Sequence, residues 1–368
     1  MNIQILQENL FKALTRIGRV VSPRPQLPIL QNIKLKVSKD GLEVSATNLE
    51  STETVWVGGK VGKEGELCVP ARILIELVSS LPAGTVHLIE KDAALHITCV
   101  KFSAVIPGVP VAEFPAVEFM EKEKTAIVDK VKFVSALSSV LFSAATDEGR
   151  PILTGVKIKE DSDETLFAAT DGYRLSTKKI TLPLEKFVEA IIPARTLSEV
   201  LKIAHEEKED ASIYVGKTLG GQMGFIVGDT TLTTRLLDGE YPNFERIIPK
   251  TFTTRALIEK EPFARAVRSA AIFAKDNANI VRLVLDKQKI VVSANAPQVG
   301  ENKIEVDAKI DGDGGEIAFN SRFLVEFLAN LPQEEFVFEM TGALNPGVFK
   351  LSKDESFLHV IMPVRVTS

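Results

Sequence analysis

Exposed aromatic rings, the usual means of gripping sugars and flat ligands, have few candidates in this chain: 368 residues contain one Trp and three Tyr. That scarcity argues against a β-rich module that binds polysaccharide or a small ligand. Cysteine is limited to Cys68 and Cys99, which have no metal-type spacing and read as buried free thiols. The four histidines, His87, His96, His205 and His359, share no motif. Gly216, Gly220, Gly221 and Gly224 lack the strand-to-helix setting and the Lys-Ser/Thr of a phosphate-binding loop, so a hairpin turn accounts for them. Asp311-Gly312-Asp313-Gly314-Gly315 lacks an oxygen ligand at its fifth position and reads as a polar turn rather than a calcium loop. Nowhere do a nucleophile, a base and an oxyanion donor assemble, so the sequence offers no catalytic site, metal site or cofactor. No stretch approaches 18 uncharged apolar residues, and Met1-Asn2-Ile3-Gln4 does not open a signal peptide. The expectation is a cytoplasmic protein with no membrane partner.

What the chain does contain is itself, three times over. Pro28-Ile29-Leu30 returns as Pro151-Ile152-Leu153, Val44-Ser45-Ala46-Thr47 as Phe167-Ala168-Ala169-Thr170, and Pro70-Ala71-Arg72 as Pro193-Ala194-Arg195, each 123 residues on. A more worn third copy shows Val292-Ser293-Ala294-Asn295 and Asn320-Ser321-Arg322. A period of a third of the chain is too long for a solenoid or a propeller blade, so each copy is a domain with its own core. Three equal units joined end to end suggest an arc or ring, a scaffold rather than a catalyst.

Each copy opens with a helix whose apolar face is spelled by Leu10, Leu14, Ile17 and Val21, by Phe133, Leu137, Val140 and Ala144, and by Phe263, Val267, Ala270 and Ala274. Short alternating runs such as Ile33 to Val37 and Leu42 to Ala46, parted by Asp40-Gly41, read as strands. A second helix follows Pro70, Pro193 and Asn320, the last suited to an N-cap. Two amphipathic helices against many strands give an α+β fold: three tandem similar domains, each with two helices packed on antiparallel sheets. The expected domains are 1–122, 125–248 and 250–368, with linkers at Glu121-Lys122-Glu123-Lys124 and Pro249-Lys250-Thr251.

Composition is otherwise that of a globular protein, 45% hydrophobic and 25% charged with a net charge of −5, which excludes a wholly basic nucleic-acid-binding surface. Distribution matters more than the sum. Lys12, Arg16 and Arg19 fall opposite the apolar face of the first helix, and Arg265, Arg268 and Lys275 do the same in the third copy, with no acid between Phe263 and Lys275. A solvated helix face mixes in Glu for i, i+4 pairs; two stripes of one sign suggest phosphate contacts of weak sequence dependence. The middle copy is less basic, with Ser135, Ser138 and Ser139 on that side.

Four blocks carry a resemblance: Arg150-Pro151-Ile152-Leu153-Thr154-Gly155, Ala169-Thr170-Asp171-Gly172-Tyr173-Arg174-Leu175, Leu237-Asp238-Gly239-Glu240-Tyr241-Pro242-Asn243-Phe244 and Val360-Ile361-Met362-Pro363-Val364-Arg365. Together they resemble the bacterial sliding clamp family, the β subunit of the replicative DNA polymerase III. That resemblance spans the chain. It implies the DNA clamp fold and a head-to-tail homodimer closed into a ring around duplex DNA, helices inside and sheets outside. Such a ring is a non-catalytic processivity factor that binds DNA without sequence specificity. It implies as partners the replicative polymerase, a separate ATP-driven clamp loader, and other polymerases and repair proteins carrying a short clamp-binding motif; ATP and metal are not needed to hold DNA. Arg24 and Arg195 match family positions that touch DNA and would join the six basic residues above.

The resemblance further implies a peptide pocket between the second and third domains, lined by Leu153, Thr170, Gly172, Tyr173, Arg174, Leu175, Pro242, Arg246 and Ile247, with Val360, Met362, Pro363, Val364 and Arg365 from the C-terminal strand. Its apolar walls would take the Leu and Phe of a Gln-Leu-x-Leu-Phe-type motif, with Arg174 and Arg365 at the polar end. Read from the residues alone, Leu153 and Leu175 are core positions. Tyr173 stands where the family commonly has His, Val364 where it has Met, and Thr367-Ser368 extend the usual end. For the dimer, Phe102 and Ala104 are expected to meet Ile272 and Phe273, with Lys101 pairing Glu301 or Glu305.

Overall fold

One order of elements runs three times through the computed structural model: a strand, a helix, four or five strands, a second helix and three strands. Residues 119, 121–124, 162, 163, 183–188, 297, 299 and 366–368 apart, the whole chain is described. The expected linker Glu121-Lys122-Glu123-Lys124, with the boundary at 122, and the terminal Thr367-Ser368 lie outside the described residues.

The first copy comprises β1 (Asn2–Leu6), α1 (Gln7–Ile17), β2 (Asn32–Ser38), β3 (Gly41–Thr47), β4 (Ser51–Val57), β5 (Lys60–Lys63), β6 (Gly65–Pro70), α2 (Ala71–Ser80), β7 (Thr85–Lys91), β8 (Ala94–Cys99) and β9 (Phe102–Pro107). The second has β10 (Ala126–Val128), α3 (Lys130–Val140), β11 (Gly155–Asp161), β12 (Glu164–Thr170), β13 (Arg174–Ile180), β14 (Glu189–Pro193), α4 (Ala194–Glu206), β15 (Ile213–Lys217), β16 (Met223–Val227) and β17 (Thr230–Thr234). The third has β18 (Thr254–Glu259), α5 (Lys260–Ala274), β19 (Ile280–Asp286), β20 (Lys289–Ala296), β21 (Gly300–Gly312), β22 (Gly315–Asn320), α6 (Ser321–Asn330), β23 (Glu335–Met340), β24 (Gly347–Leu351) and β25 (Asp354–Ile361).

Local chemistry sets these boundaries. The β2–β3 hairpin turns at Lys39-Asp40 into Gly41. α6 starts where the Asn320 side chain accepts the backbone N–H of Arg322, as an N-cap does. β4 and β5 are separated by Gly58-Gly59, where the chain runs against β1 so closely that a Cβ on Gly59 would stand 2.7 Å from the carbonyl oxygen of Gln4.

The chain forms two compact units. One is Met1–Lys130 with Glu199–Leu236, and the other is Val131–Ser198 with Leu237–Ser368. In the first, Leu10, Leu14 and Ile17 of α1 and Leu74 and Val78 of α2 bury against strand residues such as Leu35, Val44, Leu88 and Ile97. Its sheets run β5-β1-β7-β8-β9 and β10-β15-β16-β17-β4-β3-β2-β6. The second unit holds one sheet in the order β14-β11-β12-β13-β25-β24-β23-β18-β21-β20-β19-β22. Phenylalanine fills its third-copy core: Phe327 lies 5.6 Å from Phe336 and 4.9 Å from Phe349 between ring centroids. Removing such a ring costs about 3–5 kcal/mol through lost burial and the cavity left behind.

Copies join edge to edge by one rule. The fourth strand of a copy meets the last strand of the copy that follows: β4 pairs with β17 (Ser51 opposite Thr234), and β13 pairs with β25 (Arg174 opposite Ile361), both antiparallel. Just beyond each pair the same backbone bond forms, Arg235 N–H to Glu50 O at 2.9 Å and Met362 N–H to Tyr173 O at 2.8 Å. By position, residues 300–307 of β21 and the outer edge of β9 are the corresponding strands. Residues 300–307 pair with β20 and β9 with β8, and neither has a second strand partner among the described residues.

Candidate functional site

Every expected pocket residue that is described falls in the second unit, brought together by the β13–β25 pairing. Leu175 and Val360 lie opposite each other in that pair and share a buried cluster with Ala168, Ile191, Tyr241 and Phe244. Leu153, Leu175 and Val360 are therefore core, as their residue types alone indicated, and form a floor rather than an open wall. Tyr241, on the Asp-Gly-Glu-Tyr-Pro block, fixes the strand beneath: its hydroxyl accepts the Thr170 N–H at 3.1 Å and lies within reach of the Gly155 and Ala168 carbonyls. Burial holds that phenol above its ordinary range, so it stays a donor.

Above the floor stands the turn Asp171-Gly172-Tyr173. The Asp171 carboxylate accepts the backbone N–H of Tyr173 at 2.9 Å and of Arg174 at 3.0 Å, while Thr170 Oγ1 accepts the Gly172 N–H at 3.0 Å. Gly172 sits at φ +89°, and a Cβ there would come 2.6 Å from Arg150 Nη1. The turn presents Tyr173 to solvent, 60% exposed, with the Arg150 guanidinium 5.9 Å from its ring centroid. Pro242, Arg246, Ile247 and Arg365 are exposed as well, and Met362, Pro363 and Val364 are half-buried. The segment after β25 is held by Met362 N–H to Tyr173 O and Val364 N–H to Ala318 O, both 2.8 Å. Exposed Tyr173, Pro242, Arg246, Ile247 and Arg365 and half-buried Met362, Pro363 and Val364 thus lie over a buried apolar layer.

Arg174 differs from expectation. Rather than reaching the polar end of a peptide, its guanidinium is 7% exposed, bonded to Asp171 at 3.1 Å and to Glu326 at 2.6 Å, and it lies over Phe323 at 4.7 Å and Phe142 at 5.7 Å. It positions the turn. Sequence reasoning did not single out Arg150, Phe323 or Glu326 for this surface; Arg150 opens the Arg-Pro-Ile-Leu-Thr-Gly block, while the two α6 residues are distant in sequence and give no local signal. His359, behind the pocket, accepts or donates at 2.8 Å to Ser176, which bonds Ser143 at 2.7 Å. All three are buried, and burial together with the Arg174 charge pushes the histidine down to about 3.

The basic stripes part company in the structure. Arg265, Arg268 and Lys275 of the third copy are exposed, and Arg268 approaches Glu261 at 3.8 Å. Arg24 and Arg195 are exposed too. On α1 the expectation fails for Arg16, whose side chain is 1% exposed and bonded to Glu206 at 2.8 Å, Glu207 at 2.6 Å and Asp229 at 2.7 Å. Helical periodicity placed it away from the apolar core correctly, but α4 and the β16–β17 turn cover that face. Arg19 is likewise paired, to Glu199 at 2.6 Å and Glu206 at 2.8 Å, and only Lys12, 3.8 Å from Glu207, remains largely open. Beneath them Glu53 is fully buried; burial, then the neighbouring Glu199, pushes its carboxyl up to about 8 against the pull of Arg19 and Arg16.

Of the expected dimer residues, Lys101, Phe102 and Glu301 are exposed and Ala104 is half-buried on edge strand β9. Ile272 is 62% exposed near the end of α5, whereas Phe273 packs partly into its own core. Glu305 is held by Lys289 at 2.9 Å.

Three profiles of a single family match this chain in order: the DNA polymerase III beta subunit N-terminal domain over residues 1–118, its central domain over 127–243 and its C-terminal domain over 245–365. The chain belongs to the DNA polymerase III beta subunit family. It is 29% identical to the beta sliding clamp of Streptomyces coelicolor, with 100% of both chains covered, and 27% identical to that of Bacillus subtilis, with 99% of this chain and 100% of the other. The crystal structure of the Bacillus subtilis DNA polymerase sliding clamp superimposes with a TM-score of 0.94 at 26% identity over 100% of each. The threefold element order is that of a DNA clamp, and no described helix is long and apolar enough to cross a membrane.

Proposed function

We propose that the protein is a processivity clamp: a head-to-tail homodimeric ring that encircles duplex DNA, slides on it, and tethers the replicative polymerase and other replication and repair proteins. The observation that carries this reading is the pair of open edges. Each internal junction pairs the last strand of one copy with the fourth strand of the copy before it, and among the described residues the chain ends with one of each kind unpaired, β9 and residues 300–307 of β21. A second copy satisfies both by the same geometry, with Phe102 and Ala104 against Ile272 and Phe273 and Lys101 near Glu301 or Glu305. Heterologous contacts close when the repeat angle allows it, and six similar domains make a closed ring. The domains are 1–122, 125–248 and 250–368.

Inside such a ring Arg265, Arg268 and Lys275, with Lys12, Arg24 and Arg195, meet phosphates. Loose contacts suffice because enclosure supplies retention, and mobile exposed side chains allow sliding. Arg16 and Arg19 support the ring's frame instead. The surface around Tyr173, Pro242, Arg246, Ile247 and residues 362–365 takes the partner motif. The protein works without catalysis or cofactor in the cytoplasm; the buried Ser143-Ser176-His359 chain is closed to substrate. A clamp loader opens and places it using ATP. Primer extension by a matching polymerase and loader tests this: adding the protein should lengthen products on primed circular DNA, and unchanged product length would contradict it.

A further inference from the structure

A side chain bridges β11 and β12 where their backbone pairing ends. The strands are paired from Asp161 opposite Glu164 to Lys157 opposite Ala168. Two residues further along each strand stand Gly155 and Thr170, and there the Tyr241 hydroxyl intervenes. It accepts the Thr170 N–H at 3.1 Å and lies 3.3 Å from the Gly155 carbonyl oxygen, to which it can donate.

This bridge joins the two sides of the candidate partner surface. Thr170 is the root of the turn that displays Tyr173: its hydroxyl donates to Arg174 O at 2.6 Å and accepts the Gly172 N–H at 3.0 Å. Pro242 follows Tyr241 directly, and exposed Arg246 and Ile247 continue the same segment, anchored by buried Phe244. One oxygen therefore ties the turn to the wall that faces it.

The first copy shows what that oxygen is not needed for. Thr47 Oγ1 donates to Ser51 O at 3.0 Å and accepts the Leu49 N–H at 3.1 Å, and Asn48 Oδ1 accepts the N–H of Glu50 at 3.0 Å and of Ser51 at 2.8 Å. These are the four bonds of the Thr170 turn, made again. Glu113-Phe114-Pro115 stands where the second copy has Glu240-Tyr241-Pro242, and Phe114 is buried with Ile29, Leu30 and Cys68, the counterparts of Ile152, Leu153 and Ile191. A phenylalanine thus fills the seat and lets the turn form. The hydroxyl is an addition in the copy whose turn borders the partner surface.

Resting on the reading of that surface given above, we infer that the Tyr241 hydroxyl is a positioning group for the partner motif. Without touching the peptide, it holds the Tyr173 turn and residues 242–247 at one spacing, so that neither side has to be ordered when the peptide docks. Rigid presentation lowers the cost of binding. Loss of the oxygen leaves the Thr170 N–H without this acceptor and lets the two sides shift, while the ring stays seated beside Phe244, 6.3 Å away between centroids.

Fluorescence anisotropy with a labelled Gln-Leu-Ala-Leu-Phe peptide and the full chain tests this in wild type, Tyr241→Phe, Tyr173→Ala and the double variant. Ile158→Val, at a buried β11 position away from the bridge, is the control for lost stability, and thermal midpoints report that every variant is folded. Tyr241→Phe should raise the dissociation constant about five- to tenfold, and Ile158→Val should leave it within about twofold. Because the hydroxyl acts through the turn that carries Tyr173, the double variant should bind within about twofold of Tyr173→Ala alone. Tyr241→Phe binding as tightly as Ile158→Val, or two losses that multiply in full, would overturn the positioning role and leave the partner surface standing. A wild-type protein that does not bind the peptide would overturn the reading of the surface itself.

Discussion

Arg16 Nη2 lies 2.6 Å from Glu207 Oε1, in a side chain 1% exposed to solvent. Burial alone would ease the proton off this guanidinium, but hydrogen bonds to Glu207 and Glu206 and the charge of Asp229 outweigh it and raise its pKa. In return Glu206, despite its own partial burial, is held below the ordinary carboxylate range by Arg19 and Arg16. The first copy's helix is thereby tied to α4 and to the β16–β17 turn, and its central arginine is not available to a phosphate.

Replacing Arg16 by Met should consequently behave as a folding defect. Removing one partner of a buried ionic group leaves uncompensated charge, and the expected loss is about 3–5 kcal/mol, read as a lower urea midpoint. A variant of wild-type stability that had lost DNA retention would return Arg16 to the DNA surface.

Arg265 and Arg268 should show the opposite pattern. Reversing both to Glu touches only exposed positions, so stability should hold within about 0.5 kcal/mol. Loading and sliding on DNA should fail, and the dependence of DNA binding on salt should flatten by about one unit of log-log slope for each phosphate that is no longer neutralised. An unchanged slope would remove α5 from the DNA surface.

Glu53 makes stability fall with rising pH. Its folded pKa of about 8 exceeds the ordinary 4.5, so the unfolded chain releases this proton first. Its contribution is full below pH 4.5, declines through the interval to about 8 by at most about 1.4 kcal/mol per pH unit, and is level above it. Glu53→Gln should abolish that slope, so unfolding free energies of the two proteins should diverge across the interval in favour of the variant. Parallel curves would mean that Glu53 is ionised in the folded protein.

Tyr173 separates binding from folding at the pocket. With its ring exposed beside Arg150 and its other bonds made by the backbone, it can become Ala with a thermal midpoint unchanged, while affinity for a Gln-Leu-x-Leu-Phe peptide falls about tenfold as an aromatic anchor is lost. Removing residues 362–368, with the two 2.8 Å backbone bonds made by Met362 and Val364, should abolish peptide binding and leave the dimer intact. Retained affinity in the truncated protein would place the pocket elsewhere.

Much of this was legible in the sequence. Helical periodicity placed α1, α3 and α5, although the last stripe residues Val21 and Ala144 fall beyond the ends of α1 and α3, and Asn320 marked its own helix start. The Pro-Ile-Leu and Pro-Ala-Arg blocks revealed the repeat because they punctuate turns and helix starts, where few residue types fit. Pattern could not show what covers the polar face of a helix. Arg16 and Arg268 look alike along the chain, and acids some 190 residues or more away, Glu206, Glu207 and Asp229, make the first a buried tie while the second stays exposed. Arg174 misled for the same reason: its neighbours Glu326 and Phe323 come from α6, and no local spacing announces them.

The central claim is enclosure, and retention on nicked circular DNA measures it. With a matching loader and ATP the protein should stay with the circle through gel filtration in high salt, then be lost when a single cut gives the DNA free ends. Retention on the cut, linear DNA would show tight direct binding and contradict the ring.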